Sequence, residues 1–168
     1  ISACLVGSEM CIRDRIQGAG TTSINLDGTS SIHGIELGAT AYLMDGLTVR
    51  AAYTFLDGED ADGITLARRP ENVASLDIGY SFLDGAAALN LGIVYTGGQQ
   101  DIAFDAFYNQ SRVELDSYTL VNLAGSYRFN DHAEAFARVE NLFDERYEDV
   151  YGYGGMGRLA VAGVKLSF

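Results

Sequence analysis

From about Ser23 onward the chain alternates apolar and polar residues with a period of two, the mark of strands whose two faces meet different surroundings. In 35–43, Ile35, Leu37, Ala39, Ala41 and Leu43 face one way, and Glu36, Gly38, Thr40 and Tyr42 the other. The same split separates Leu47, Val49, Ala51, Tyr53 and Phe55 from Thr48, Arg50, Ala52 and Thr54. It recurs in 74–82, where Ala74, Leu76, Ile78, Tyr80 and Phe82 oppose Ser75, Asp77, Gly79 and Ser81, and again in 87–95 and 119–129. In 132–144 the pattern is mixed, with Glu134, Arg138 and Glu140 on the face of Phe136. The last stretch sets Ala160, Ala162, Val164, Leu166 and Phe168 against Lys165 and Ser167. Strands are therefore predicted over 30–44, 47–57, 72–82, 86–97, 116–129, 132–144 and 158–168, the first able to extend back to Ser23.

The connectors differ at the two ends. "DG" at 45–46, "LDG" at 83–85 and "ND" at 130–131 are tight-turn signals, whereas 58–71, 98–115 and 145–157 are long. Short turns at one end and long loops at the other describe an up-and-down meander, as in outer-membrane barrels. A soluble sandwich also alternates, but two features favour lipid on the apolar face. The polar face carries mid-strand charges, as a wet lumen permits. The apolar-face aromatics sort by end: Tyr80, Phe82, Tyr127, Phe129 and Phe168 toward the short turns, and Tyr53, Phe55, Tyr95 and Phe143 toward the long loops. Between them lie Ala, Val, Leu and Ile, an aliphatic band between two aromatic girdles.

Composition narrows the reading. A net charge of −12 argues against a nucleic-acid partner. No apolar run approaches the roughly 18 residues of a spanning helix, which excludes helical membrane proteins only. "CLVGSEMCIRDR", within residues 1–15, resembles a translated adapter scar; it is set aside as a non-native leader, leaving 16–168 as one domain. The competing reading of this segment is a genuine first strand with a Cys4–Cys11 disulfide.

"ARVENLFDERYEDVYGYGGMGRLAVAGVKLSF" (137–168) resembles the C-terminal signature of TonB-dependent outer-membrane receptors: Asn-Leu-Phe-Asp, a Tyr a few residues on, a loop with Gly-Arg, and a final strand ending in Phe. "GIELGATAY" (34–42) and "RRPENVASL" (68–76) resemble two further stretches of that family, in the expected order. "VENLFDERYEDVYGY" is most similar to the vitamin B12 branch, in which a Pro often precedes the Gly-Arg; "GGMGR" has none. The resemblance implies a plugged barrel of about 22 strands. This chain would supply an incomplete C-terminal portion of about seven strands, without the plug. The fold expected is an all-β, antiparallel, up-and-down transmembrane β-barrel. Family members import ferric siderophores or vitamin B12 with energy from TonB, so the implied ligand is a scarce nutrient such as cobalamin or a ferric siderophore. The implied place is the outer membrane of a Gram-negative bacterium. The implied partners are outer-membrane lipid, the barrel-assembly machinery, and TonB acting through the plug. The machinery would read Leu166 and Phe168 as the terminal signal.

Candidate sites follow the same frame. Phe107, Tyr108, Asn109, Arg112, Tyr147, Tyr151 and Tyr153 lie on long loops and are candidates for ligand contact. Glu36, Arg50, Asp77, Arg128, Glu134, Arg138, Glu140 and Lys165 are candidates for a lumen or plug-facing surface. Asp57, Glu59, Asp60 and Asp62 crowd one loop without the EF-hand spacing, so a solvated acidic tip is favoured over a Ca²⁺ site. No catalytic constellation, other metal cluster or cofactor motif stands out. The rival reading is a complete small outer-membrane barrel with a structural, adhesive or passive-pore role.

The two faces generate a test. In the full-length receptor, Val49→Arg is expected to block assembly, an Arg on the lipid face costing up to about 2–4 kcal/mol at the midplane. Thr48→Arg is expected to assemble normally. The amount of heat-modifiable barrel in outer-membrane fractions reads the difference, and equal tolerance of both would defeat the assigned faces.

Overall fold

The computed structural model describes residues 2–12, 15–19, 22–26 and 28–168, with side chains from 28 onward. Eight strands form the main sheet. Numbered in chain order, they are β1 (Ser2–Ile12), β4 (Ser30–Met44), β5 (Leu47–Glu59), β6 (Asn72–Phe82), β7 (Ala87–Thr96), β10 (Tyr118–Asn130), β11 (Ala133–Glu140) and β14 (Leu159–Leu166). Three two-stranded sheets complete the set: β2 (Arg15–Ala19) with β3 (Thr22–Leu26), β8 (Gln99–Phe104) with β9 (Gln110–Leu115), and β12 (Glu148–Val150) with β13 (Tyr153–Gly154). Neighbours in the main sheet pair antiparallel, in an order that follows the chain. Among the described residues β1 and β14 are not paired, so the sheet is open.

The register turns the periodicity into two continuous faces, because residues directly opposite across a ladder share a face. One row runs Ala41, Val49, Ile78, Leu91, Leu123, Val139, Ala160 and is wholly apolar. The adjacent row on the other face runs Tyr42, Thr48, Gly79, Asn90, Ala124, Arg138, Val161. Two further apolar-face rows hold the girdles. Tyr53 and Tyr95 share one, and Phe82 and Tyr127 the other. On β7 the rows are eight residues apart (Tyr95 to Ala87). That is about 26 Å along the strand, or roughly 20 Å along the axis at a tilt of about 40°.

Neither face is covered. Among the described residues only Ala87, Ala103 and Leu115 are buried apolar side chains. The accessible surface is 11790 Å², against about 8,000 Å² for a compact monomer of this mass. A soluble sandwich would bury this apolar face against a second layer, and no such layer is present among the described residues.

Several expectations change. Thr22–Leu26 does not prolong β4 but pairs with Arg15–Ala19. Residues 98–115 are mostly the β8–β9 hairpin rather than irregular loop. The strand expected over 132–144 ends at Glu140, because Asn141 takes a left-handed φ of 50°. The last tight turn falls on Asp131 and His132, one residue later than expected. Ser2–Ile12, set aside above, lies along β4, with Ser2 opposite Thr40 and Ile12 opposite Ser30. Cys4 and Cys11 are seven residues apart on that strand, about 23 Å, far beyond disulfide reach.

The β4–β5 turn shows why "DG" ends the hairpin. Gly46 has φ +79°, and a Cβ there would collide with the carbonyl oxygen of Ser81. The Gly46 carbonyl also accepts the Ser81 N–H at 2.8 Å, tying the turn to β6. Gly46→Ala is expected to cost at least about 1–2 kcal/mol from the left-handed backbone alone. The measurement is the denaturant midpoint of the refolded receptor, and an unchanged midpoint would show that the turn relaxes freely.

Candidate functional site

The three long connections, 60–71, 97–117 and 141–158, meet at one end of the sheet, and a single carboxylate joins them. Asp101 on β8 is 1% exposed, and few other side chains among the described residues are buried. Its Oδ1 accepts the Arg68 Nε–H at 2.7 Å and the Ile102 N–H at 2.7 Å, and its Oδ2 accepts the Tyr151 N–H at 2.7 Å. Arg68 lies 33 residues upstream and Tyr151 50 downstream. Arg68 holds φ +59° and donates its own N–H to the Gln100 carbonyl at 2.7 Å. Burial alone would raise the Asp101 carboxyl, but the Tyr151 N–H, the Arg68 guanidinium and the Ile102 N–H outweigh it and hold the group below its ordinary value. Two more ties run alongside: Arg112 Nη1 to the Thr65 carbonyl at 2.8 Å, and Gln99 Nε2 to the Asp149 carbonyl at 3.0 Å.

A second knot explains the Asn-Leu-Phe-Asp stretch. Asn141 is 4% exposed. Its N–H donates to Asn122 Oδ1, its Oδ1 accepts the Glu145 N–H, and its Nδ2 donates to the carbonyls of Glu145 and Met156. Asp144 Oδ1 accepts the Arg158 N–H at 2.8 Å, and Arg158 Nη1 reaches the Leu142 carbonyl at 3.3 Å. A Cβ on Gly157 would lie 3.0 Å from Asp144 Oδ1. The small residue before Arg158 thus lets the backbone approach the carboxylate that caps it.

The expected ligand-contact residues do not form one cluster. Phe107 and Tyr108 stand at the tip of the β8–β9 hairpin, each 84% exposed. Beneath them Asp105 accepts the N–H groups of Phe107 and Asn109 and the Asn109 side-chain amide. These bonds, the Asn109 amide first, hold the Asp105 carboxyl below its ordinary value. Arg112 serves the tie to Thr65. Tyr147 lies against Tyr118, with ring centroids 4.4 Å apart, and Tyr118 donates to Asp149 Oδ1. Tyr151 and Tyr153 are exposed side chains on the third connection. A cavity of about 560 Å³ lies here, lined by Tyr118, Tyr147, Tyr151, Glu114, Glu145 and Glu148 among others. Among the described residues no three His, Cys, Asp or Glu side chains are arranged to hold a metal ion. Asp60 Oδ1 accepts the N–H groups of Asp62 and Ile64, the geometry of a capped loop tip.

The polar face spreads its charges along the sheet. Arg50 stands opposite Asp77 in register, and Arg138 Nη1 is 3.4 Å from Glu140 Oε1. Near the short turns Arg128, Glu134 and Lys165 form one row. Glu36 sits opposite Thr54. A second cavity, about 510 Å³, opens among Arg50, Asn90, Ser126 and Arg138. The β11–β14 ladder ends with Leu166 opposite Ala133. Ser167 N–H then donates to the His132 carbonyl at 2.9 Å, and Phe168 is fully exposed.

An open antiparallel sheet with one aliphatic face between aromatic girdles, a charged opposite face, and long connections at one end is the wall of an outer-membrane barrel. Comparison with known proteins agrees. A family model described as TonB dependent receptor-like, beta-barrel, matches residues 10–142. The chain belongs to that family, a family of outer-membrane transport receptors rather than enzymes. The vitamin B12 transporter BtuB of Vibrio cholerae serotype O1 is 32% identical over 130 residues, covering 77% of this chain and 20% of the relative. The chain thus spans about a fifth of the length of the curated relatives it matches. The ferripyoverdine receptor of Pseudomonas aeruginosa superposes with a TM-score of 0.83 at 20% identity, over 99% of this chain and 25% of that one. The ferric-catecholate import receptor Fiu of E. coli K12 does so with 0.78 at 20% identity, over 99% and 25%. The copper transporter OprC gives 0.77 at 21% identity, over 99% and 28%. These structures share the fold.

The Asp101 tie has a pH signature. A carboxyl held below its unfolded-state value stabilises fully above that value, about 3.9, and loses the contribution as pH falls through its own lower value. A nitroxide at Ala106 in the full-length receptor is therefore expected to keep constant mobility from pH 7 to about 4 and to loosen only below. Loosening that begins near pH 6 would contradict the charged tie.

Proposed function

We propose that this chain is the C-terminal part of the barrel wall of an active outer-membrane receptor that takes up a scarce nutrient, cobalamin before a ferric siderophore. The observation that carries the reading is the 130-residue stretch 32% identical to a vitamin B12 transporter. The geometry supports it in three ways. The aliphatic face suits outer-membrane lipid, and the girdle rows suit its two interfaces. The polar face, with Glu36, Arg50, Asp77, Arg128, Arg138, Glu140 and Lys165, lines the lumen and meets the plug. The long connections face outward and present Phe107, Tyr108, Tyr151 and Tyr153 to an arriving ligand.

In this reading the ligand is captured at the outer mouth, TonB acts on the plug from the periplasmic side, and the ligand passes along the charged wall. The remaining strands of the receptor pair with the edge of β14 on one side and, once residues 1–15 give way to the native chain, with the edge of β4 on the other, since lipid does not tolerate an unpaired edge. Leu166, which ends the last strand, and Phe168 beyond it serve as the signal read by the barrel-assembly machinery. Residues 1–15 are proposed to be foreign to the native receptor, with 16–168 its barrel segment. A passive small barrel is less well supported, because the sheet remains open among the described residues.

The test is uptake of labelled cyanocobalamin by cells that lack their own cobalamin receptor and express the full-length protein, with and without TonB. TonB-dependent accumulation is the expected result. TonB-dependent uptake of ferric siderophore alone would move the substrate. Entry independent of TonB would replace the receptor by a passive pore.

A further inference from the structure

The geometry points to Asp101 as a positioning residue that makes the three outer connections one cooperative unit, opening and closing together. Ligand capture would then depend on a side chain that touches no ligand. The inference rests on the receptor reading only for its binding consequence; the coupling itself is a property of this chain.

Three segments distant in sequence end on one carboxylate, which leaves no slack in how it is shared. Oδ1 serves Arg68 from the first connection and Ile102 from its own hairpin; Oδ2 serves Tyr151 from the third. The carboxylate side chain is fully buried, whereas the Arg68 side chain is 53% exposed. Withdrawing any one donor leaves a buried charge short of a partner, which weakens the case for the other two to stay. The parallel ties, Arg112 to Thr65 and Gln99 to Asp149, join the same pairs of segments. Each of these ties joins the first or third connection to the hairpin that carries Asp101. That hairpin also carries the exposed Phe107 and Tyr108, so the tip moves with the platform beneath it.

The side-chain chemistry supplies discriminating variants. Asp101→Asn keeps the shape but has one acceptor oxygen; directed at Arg68 and Ile102, its NH2 would face the Tyr151 N–H, donor against donor. Arg68→Ala removes the guanidinium and keeps the backbone bond to Gln100. A set of independent tethers would free only 141–158 in the first variant and only 60–71 in the second. A cooperative unit would free all three in both.

The experiment is hydrogen exchange on the full-length receptor in nanodiscs, with peptides covering 60–71, 99–109, 141–156 and the wall strands β6 and β7. Each variant is expected to raise exchange at least tenfold in all three outer segments while β6 and β7 stay protected. Release of only the locally tethered segment would overturn the proposal. If Asp101→Asn does not assemble, Arg68→Ala and Arg68→Lys read the same coupling from the exposed partner. Cyanocobalamin binding measured on the same samples is expected to weaken about tenfold with the coupled release. Unchanged binding despite coupled release would overturn the role in capture. A wild-type receptor that fails to bind cyanocobalamin would count against the substrate reading, while the exchange pattern alone still decides the coupling.

Discussion

A sheet with one continuous apolar face and no second layer cannot be stable in water, and every other feature of this chain follows from that constraint. The wholly apolar row from Ala41 to Ala160 crosses seven strands without a polar interruption. In a soluble protein it would be the inside of a core, yet among the described residues almost nothing is buried against it. A hydrocarbon surrounding resolves the conflict, and it demands in return that the backbone groups of the crossing segment pair within the sheet. The antiparallel ladders meet that demand across the interior of the wall. The sheet stays open among the described residues, and the rest of a receptor barrel would complete the pairing of the native wall.

The two ends of the wall solve different problems. At the short-turn end the chain reverses in two to four residues, using left-handed backbone at Gly46, Leu83, Asp84 and Gly85. At the other end it makes long excursions into water, where no core exists to hold them. Buried polar knots replace the core: Asp101 gathers three connections, and Asn141 closes the bend after β11. Asp101 and Asn141, two of the three buried polar side chains among the described residues, are the centres of these knots, which is where an unpaired polar group would cost most. Order at the outer mouth therefore depends on hydrogen-bond geometry rather than on apolar packing.

The wall was legible in the sequence because a period of two is a local property. Ile78 and Asp77 are neighbours, and their opposite characters assign the faces without knowledge of any partner. The aromatic rows were legible for the same reason. The outer knots were not. Asp101 in "TGGQQDIAF" looks like any loop aspartate, and its partners Arg68 and Tyr151 lie 33 and 50 residues away. Arg68 and Asn141 were visible only as parts of stretches resembling a family, with no role attached. The β8–β9 hairpin was hidden by its polar ends, "QQD" and "QSR", which carry little of the apolar alternation that marks the wall. The Ser2–Ile12 strand is hard to read because the segment resembles an adapter scar and shows neither clean alternation nor a helical stripe.

Whether the alternation sorts lipid from lumen can be read from paired nitroxide labels at Leu91 and Asn90 in the full-length receptor, reconstituted in bilayers. The Leu91 label is expected to relax with dissolved oxygen and to be shielded from a water-soluble nickel chelate, while the Asn90 label lacks that lipid signature. Equal oxygen and nickel accessibility at the two positions, or the reverse pattern, would contradict it.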